Sequence, residues 1–344
     1  MTNARRQLPA PDGGEPVPGV GPIAPQHAGD FIDLDTTCDG GFRVGKDGVR
    51  RIVTPRDRKV EFIAFADKTL AYVKSALGHP ALYPLAPARF EAPAEAVLMD
   101  LDGTSVHSEH FWMWIIEQVV ARLLDNPGFA LVPEDEPHVS GHSVSEHLQY
   151  CIRKYCPDKK VEEARRHYFE ITRRELQAIL DGRGRPDAFT PAPGLEDFLL
   201  TLKDRKIRIG LVTSGLFEKA WPEIVSAFRT LALGDPLEFY DAIISAGTAI
   251  CKGQAGTLGE LEPKPHPWLY AETARIGLGL DASHRHRIIG LEDSGAGVVS
   301  IRLAGFAAIG VGGGNLVKSG VRPLLAAECA TLADALPLIL GTAS

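Results

Sequence analysis

The sequence predicts an α/β fold in which a parallel sheet carries an inserted all-helical domain and follows an N-terminal extension. After residue 93, short and almost wholly apolar runs alternate with helical stretches, as in sheets that are covered on both faces. More than a hundred residues, many with helical periodicity, separate the first apolar run from the second. The residues before position 93 show neither feature, so we assign them to a separate extension.

Length and composition narrow the class of protein. The chain has 344 residues and a net charge of −7, from 37 Lys and Arg against 44 Asp and Glu. No apolar run approaches the roughly 20 residues that cross a bilayer, and no signal-peptide core is found near Met1. The five scattered cysteines favour a reducing compartment over a disulfide framework. We therefore expect a cytoplasmic enzyme or binding protein that binds neither nucleic acid nor membrane.

The first 92 residues are predicted to comprise a disordered arm followed by a small extension and a linker. Residues 1–30 hold six prolines and five glycines, which indicates a disordered arm. Residues 31–92 are predicted to form a hairpin, turning at Asp47-Gly48, then an amphipathic helix over 60–77 and a proline-rich linker over 79–93. Whether this extension packs on the edge of the sheet or binds a protein partner stays open.

The rest of the chain is divided between a catalytic core and a helical cap. We assign 93–106 and 191–344 to the core, and 107–190 to the cap. Five apolar runs are predicted to be core strands: 96–99, 207–212, 242–244, 287–291 and 307–311. Three periodic stretches are predicted to be cap helices: 111–124, 145–155 and 161–180.

Chemically distinctive residues follow the first predicted strand. Asp100 and Asp102, two positions apart, leave the strand toward the same side, and Gly103 permits an abrupt turn. Two carboxylates this close repel each other, which raises one pKa unless a cation is present. The pair indicates a metal site, or a nucleophile beside a general acid. A turn with helix-capping aspartates is the structural alternative.

Three later segments carry further candidate groups. Thr213-Ser214-Gly215 follows the second strand and could bind an anion, although Ser or Thr is also the usual helix N-cap. Lys264 stands between prolines that hold its backbone extended, so it could neutralise a phosphate, or simply lie on the surface. Glu292 and Asp293 follow the fourth strand, where two acids suit a hard cation with oxygen ligands.

The order and identity of these four motifs resemble the haloacid dehalogenase-like superfamily of phosphohydrolases. The resemblance covers roughly residues 94–340, and nothing before them. The stretch 292–297 resembles the subgroup that contains β-phosphoglucomutase and phosphoglycolate phosphatase. This resemblance implies a Rossmann-like core, a mobile helical cap that closes over the site, and Mg²⁺ as the cofactor.

The resemblance also implies a role for each matched residue. Asp100 would be the nucleophile, Asp102 the general acid/base, and Lys264 the cation that offsets charge on Asp100 and the phosphoryl group. Mg²⁺ would be held by Asp100, Asp293 and the backbone carbonyl of Asp102, with Glu292 assisting. The phosphoryl group or the substrate would be bound by Gly103, Thr213, Ser214, Gly215 and the cap residue His142, for which an exposed loop position is the alternative.

Some positions depart from the resemblance. His107 replaces an Asp of the first motif, and Trp112 stands where mutases usually have a His, which weakens a mutase function. Residues 248–261 form an insertion that contains a rival lysine, Lys252, but the proline context favours Lys264. Residues 31–37 mimic the first motif without its glycine, so we reject them as catalytic.

The sequence as a whole favours one function and leaves two alternatives. The favoured function is a Mg²⁺-dependent phosphatase that acts on a small phosphorylated metabolite through an aspartyl-phosphate. A sugar phosphomutase is the first alternative, and a non-catalytic protein that binds phosphometabolites or serves as a scaffold is the second. The individual substrate and the oligomeric state are not predicted.

Overall fold

The structure is a computed structural model that describes residues 17–21, 23–74, 80–139, 144–246, 248–251, 254–257 and 261–342. The chain divides into two compact units. The first comprises Met1–Ser105, Ala192–Phe217 and Leu233–Ser344, and the second comprises Val106–Pro191 and Glu218–Ala232.

The first unit begins with a five-stranded antiparallel sheet in which neighbours along the chain pair in order. We call it the N-terminal sheet; its strands are β1 (Phe31–Leu34), β2 (Arg51–Pro55), β3 (Val60–Ala64), β4 (Thr69–Val73) and β5 (Ala81–Pro84). The helix predicted over 60–77 is therefore wrong, because β3 and β4 pair there with Phe62 opposite Ala71. β3 is buried on both faces, so its sequence lacks the apolar–polar alternation that indicates a strand.

Three other N-terminal predictions also need correction. Asp47 and Gly48 do form a turn with positive φ, but it lies inside the loop that joins β1 to β2. The predicted linker contains β5. Of the predicted disordered arm, residues 1–16 and 22 lie outside the described residues, whereas residue 17 and Asp30 are buried. Asp30 makes ion pairs with Arg56 and Arg322, and these charge pairs fix a segment whose composition alone indicates disorder.

The second unit holds the helices that the sequence predicts for the cap. Its elements are β7 (Val106–His107), α1 (Glu109–Leu123), α2 (Glu136–Val139), α3 (Val144–Tyr155), α4 (Val161–Leu180) and β8 (Thr190–Pro191). The unit also includes most of α6 (Phe217–Leu231), a later helix of the chain. The three predicted helices are confirmed as α1, α3 and α4. The short antiparallel pair β7–β8 brings the two ends of the inserted segment together.

A buried aspartate stabilises the second unit. Asp135 accepts hydrogen bonds from Lys154, Tyr150 and Tyr155, all on α3. Burial alone would raise the pKa of Asp135, but these donors outweigh it and lower the pKa below its usual value. The carboxylate therefore ties the segment before α2 to α3.

We expect Asp135→Asn to lower the free energy of unfolding by about 2 kcal/mol, because it leaves buried donors poorly matched. The stabilisation is present above the ordinary carboxyl pKa and is lost as the pH falls toward the lowered folded value, so variant and wild type converge in acid. Urea unfolding followed by circular dichroism measures the difference. Glu134→Gln, at the exposed neighbouring residue, is the matched control. Equal effects of the two substitutions would contradict this account.

The rest of the first unit is built on an eight-stranded sheet. Six of its strands are parallel and lie side by side in the order β10 (Ala242–Ser245), β9 (Arg208–Thr213), β6 (Ala96–Asp100), β13 (Ile288–Glu292), β14 (Ala307–Val311) and β15 (Ala327–Cys329). The predicted Rossmann-like sheet and its five strands are confirmed. β15 was not predicted, because it is only three residues long.

Helices flank this sheet, and the insertion extends it. The flanking helices are α5 (Leu195–Asp204), α7 (Pro236–Phe239), α8 (Trp268–Glu272), α9 (Gly295–Leu303), α10 (Leu316–Ser319) and α11 (Leu332–Leu340). Within the insertion, β11 (Thr248–Cys251) and β12 (Gln254–Thr257) add an antiparallel hairpin to the edge of the sheet. Lys252 lies outside the described residues. Within the described part of the chain, no helix has the length and apolar character needed to span a membrane.

Candidate active site

Three neighbouring strands place the predicted site residues at one edge of the sheet. Asp100 is the last residue of β6, which lies between β9 and β13. Asp100 is in register with Val212 of β9, so Thr213 lies one residue beyond Asp100 at the same edge of the sheet. On the other side Met99 pairs with Leu291, so Glu292 ends β13 beside Asp100. Parallel strands thus gather these side chains at their common carboxyl ends.

Lys264 lies between two of the buried carboxylates. Its Nζ donates hydrogen bonds to Oδ1 of Asp100 and to Oε1 of Glu292, the latter at 2.6 Å. The Lys264 side chain is only 8% exposed. Burial alone would lower its pKa, but the charges of Asp100 and Glu292 outweigh burial and raise the pKa. Lys264 is therefore a fixed ammonium ion at physiological pH.

Glu292 is held on several sides. Its Oε1 also accepts a hydrogen bond from Tyr270 Oη at 2.8 Å, and its Oε2 accepts from the Ser294 hydroxyl at 2.8 Å and the Ser294 backbone N–H at 3.1 Å. Gly297 leaves room for this carboxylate, because a Cβ there would collide with it. A buried carboxylate with this many donors is rigid, so Glu292 fixes the position of Lys264.

Tyr270 is a site residue that the sequence analysis missed. It is fully buried on α8, six residues after Lys264, and its hydroxyl donates to Glu292. Burial and the nearby Glu292 charge raise its pKa well above the usual value, so it stays a donor. A tyrosine in an otherwise apolar buried stretch needs a polar partner, which is the signal that could have indicated it.

Asp100, Glu292 and Asp293 form a carboxylate cluster that could hold a metal ion. One oxygen of each lies within 4.8 Å of the others, and all three residues are buried. Burial, and next the charge of Glu292, raise the pKa of Asp100 well above its usual value. Three buried carboxylates against one lysine leave excess negative charge, and an oxygen-only donor set suits a hard divalent cation. The residues present therefore fit such a cation.

Backbone geometry makes room for Asp293. Gly103 has φ +84°, a left-handed conformation that favours glycine, and a Cβ there would collide with the Asp293 carboxylate. A Cβ at Gly314 would do the same from the other side. Thr104 Oγ1 lies 3.4 Å from Asp293 Oδ1. Gly103 thus serves both the turn after β6 and the acidic cluster.

Asp102 lies beside Thr213, and its charge also acts on Asp100. Its Oδ2 accepts a hydrogen bond from Thr213 Oγ1 at 3.2 Å. Thr213 Oγ1 in turn accepts from the Gly215 backbone N–H at 2.9 Å, and Ser214 Oγ accepts from the Lys264 N–H at 3.3 Å. The loop after β9 therefore connects the second aspartate to the lysine loop.

The structure brings together all the core residues that the sequence singles out. The exception among the predicted site residues is His142, which lies outside the described residues. The rejected look-alike at 31–37 has no such surroundings, because Asp33 pairs with Arg51 at the surface.

Comparison with known proteins finds relatives of the part of the chain that carries these residues. A family model described as haloacid dehalogenase-like hydrolase matches residues 94–305, which excludes the N-terminal sheet. The β-phosphoglucomutase of Bacillus subtilis (strain 168) is 28% identical over 223 residues, covering 64% of this chain and 84% of that protein.

Solved structures support the fold. A predicted phosphoglycolate phosphatase from Haemophilus somnus matches 72% of this chain and 98% of its own, with 16% identity and a TM-score of 0.52. A haloacid dehalogenase-superfamily hydrolase of subfamily IA from Geobacter sulfurreducens matches 73% of this chain and 99% of its own, with 15% identity and a TM-score of 0.52.

Proposed function

The chain belongs to the haloacid dehalogenase-like hydrolases, and on that premise we propose that it is a Mg²⁺-dependent phosphatase acting on a small phosphorylated metabolite. The observation that carries the proposal is the buried cluster in which Lys264 contacts Asp100 and Glu292 while Asp293 lies alongside. Such a cluster combines a nucleophilic carboxylate with the positive charge that a phosphate dianion requires.

Asp100 is the proposed nucleophile. Its carboxylate oxygen attacks phosphorus, an O–P bond forms, and the bond to the leaving oxygen breaks, which gives an aspartyl-phosphate. A carboxylate approaching a phosphate dianion meets charge repulsion, and the fixed ammonium of Lys264 reduces it. The second half-reaction transfers the phosphoryl group to water and restores Asp100.

Asp102 is the proposed general acid/base. It gives a proton to the leaving alkoxide and then takes one from the water that attacks the aspartyl-phosphate. Its hydrogen bond from Thr213 holds the carboxyl group beside the loop that would bind the phosphoryl group. In this proposal Thr213, Ser214, Gly215 and Gly103 bind phosphoryl oxygens, and His142 contacts the substrate.

Mg²⁺ is the proposed cofactor. Asp100, Asp293 and the backbone carbonyl of Asp102 would hold it, and Glu292 would assist through the shared charge of the cluster. Bound there, it would supply further neutralisation of charge on the phosphoryl oxygens. The chain's own contribution is to keep these carboxylates buried and oriented.

The proposal predicts phosphate release that depends on a divalent metal. We expect at least one of a panel of phosphorylated metabolites to be hydrolysed with Mg²⁺, with loss of turnover on chelation and recovery when Mg²⁺ is restored. Released inorganic phosphate is the measurement, and p-nitrophenyl phosphate serves as a generic substrate in the same panel. Phosphate binding without any turnover would instead indicate a non-catalytic binding protein, and the phosphatase proposal would fail.

A sugar phosphomutase is the second candidate, favoured by the 28% identity to the Bacillus subtilis enzyme. In that case the aspartyl-phosphate would pass its phosphoryl group back to a sugar rather than to water. Incubation with β-glucose 1-phosphate distinguishes the two, because a mutase gives the 6-phosphate and a phosphatase gives free phosphate. Trp112, which replaces the histidine usual in mutases, argues for the phosphatase.

A further inference from the structure

The N-terminal sheet, which lies outside the family match, packs on the two helices that follow the site loops. Its buried residues share one hydrophobic core with α8 and α9; from the sheet this core includes Val53, Phe62, Ala71 and Val73, and from the helices Leu269, Tyr270, Val298 and Ile301. The loop carrying Lys264 leads into α8, and the loop carrying Glu292 and Asp293 leads into α9. The sheet therefore adjoins the elements on which the proposed chemistry depends.

One polar contact joins the sheet directly to the lysine loop. A 2.8 Å hydrogen bond links Tyr83 Oη on β5 to Nδ1 of His266, two residues after Lys264. The two rings also meet edge to face, with centroids 5.7 Å apart, and the Tyr83 ring contacts Trp268 in the same way at 5.9 Å. Only 1% of His266 is exposed, so this hydrogen bond is shielded from water.

His266 is also held through its backbone. Its carbonyl accepts a hydrogen bond from Ser300 Oγ of α9 at 2.6 Å, and its N–H donates to the Pro263 carbonyl at 3.0 Å, closing a turn around Lys264. Pro263, Pro265 and Pro267 restrict the remaining backbone freedom of the loop. His266 is thus tied through its backbone both to α9 and to the turn that contains Lys264.

We infer that Tyr83 is a positioning residue of the N-terminal sheet, which acts through His266 to hold the Lys264 loop in its working geometry. The effect of Tyr83 on catalysis rests on the proposed phosphatase function. The effect of Tyr83 on the order of the Lys264 loop does not. This positioning also gives the N-terminal sheet a role beyond its contribution to stability.

The test is Tyr83→Phe in the full-length protein, with Tyr72→Phe as the matched control. Tyr72 is a buried tyrosine of the same sheet, but it packs in the core on the opposite face, with Asp39 nearby, away from the lysine loop. Each substitution removes one hydroxyl and keeps the ring. Hydrogen exchange of the amides between residues 264 and 270 reports the order of the loop whether or not the protein turns over a substrate.

We expect Tyr83→Phe to speed exchange of these amides by about threefold or more, because a shielded hydrogen bond is lost. We also expect kcat for p-nitrophenyl phosphate to fall by about five- to tenfold with KM within about twofold, because a displaced ammonium affects the transition state most. Tyr72→Phe leaves both unchanged. Unchanged loop exchange in Tyr83→Phe, or equal effects in both variants, overturns the inference. If the wild-type protein hydrolyses no substrate and Tyr83→Phe still speeds exchange of the loop amides, the positioning role is supported and the proposed function is refuted.

Discussion

Asp100→Asn abolishes phosphate release: we expect turnover to fall by about 10⁴-fold or more, as when the nucleophile of a covalent enzyme is removed. The amide is almost the same size as the carboxylate but cannot form a stable bond to phosphorus. It also weakens the contact with Lys264, whose Nζ donates to Asp100. Steady-state phosphate release with the best substrate of the panel, at saturating Mg²⁺, measures the loss.

The matched control for this substitution is Asp33→Asn. Asp33 lies in the look-alike stretch at 31–37, on an exposed edge strand where it pairs with Arg51. That pair is at the surface, so we expect turnover and stability close to wild type. Without a divalent metal, burial and the charge of Glu292 raise the pKa of Asp100, so its charged form is costly in the fold, and we expect metal-free Asp100→Asn to unfold at no lower temperature than the metal-free wild type. Turnover by Asp100→Asn within tenfold of wild type would exclude the aspartyl-phosphate mechanism.

The core of the fold could be predicted because its strands are covered on both faces. β6, β10, β13 and β14 are buried along their whole length, so each appears in the sequence as an unbroken apolar run. The site could be predicted for a related reason. Functional groups of a parallel sheet must follow the carboxyl ends of its strands, so Asp100 and Glu292 stand directly after recognisable runs.

The N-terminal sheet could not be predicted by the same reasoning. β3 and β4 are also largely buried on both faces, but they are short and separated by only four residues, so their apolar positions resemble one helix. What fixes them is pairing along the sheet and packing on α8 and α9, which are contacts between distant parts of the chain. Tyr83 and Tyr270 were missed for the same reason. Their partners, His266 and Glu292, lie 183 and 22 residues further along the chain, and no local sequence pattern connects each tyrosine to its partner.

Asp102→Asn is expected to separate the two half-reactions. The amide can still accept the hydrogen bond from Thr213, but it can neither protonate a leaving group nor activate water. For an alkyl phosphate, whose strongly basic alkoxide needs the proton, we expect turnover to fall by about 10²- to 10⁴-fold, the range for loss of a general acid/base. For p-nitrophenyl phosphate, whose phenolate leaves without a proton, formation of the aspartyl-phosphate should be much less affected.

The variant should therefore accumulate the aspartyl-phosphate when p-nitrophenyl phosphate is the substrate, because only its hydrolysis still needs Asp102. We expect a rapid burst of about one p-nitrophenolate per protein molecule, followed by slow steady-state release, the kinetic sign of a covalent intermediate. Stopped-flow absorbance measures the burst, and Asp100→Asn, which cannot form the intermediate, should show none. If Asp102→Asn slows alkyl and p-nitrophenyl phosphates equally and gives no burst, the proposed general acid/base role of Asp102 is wrong.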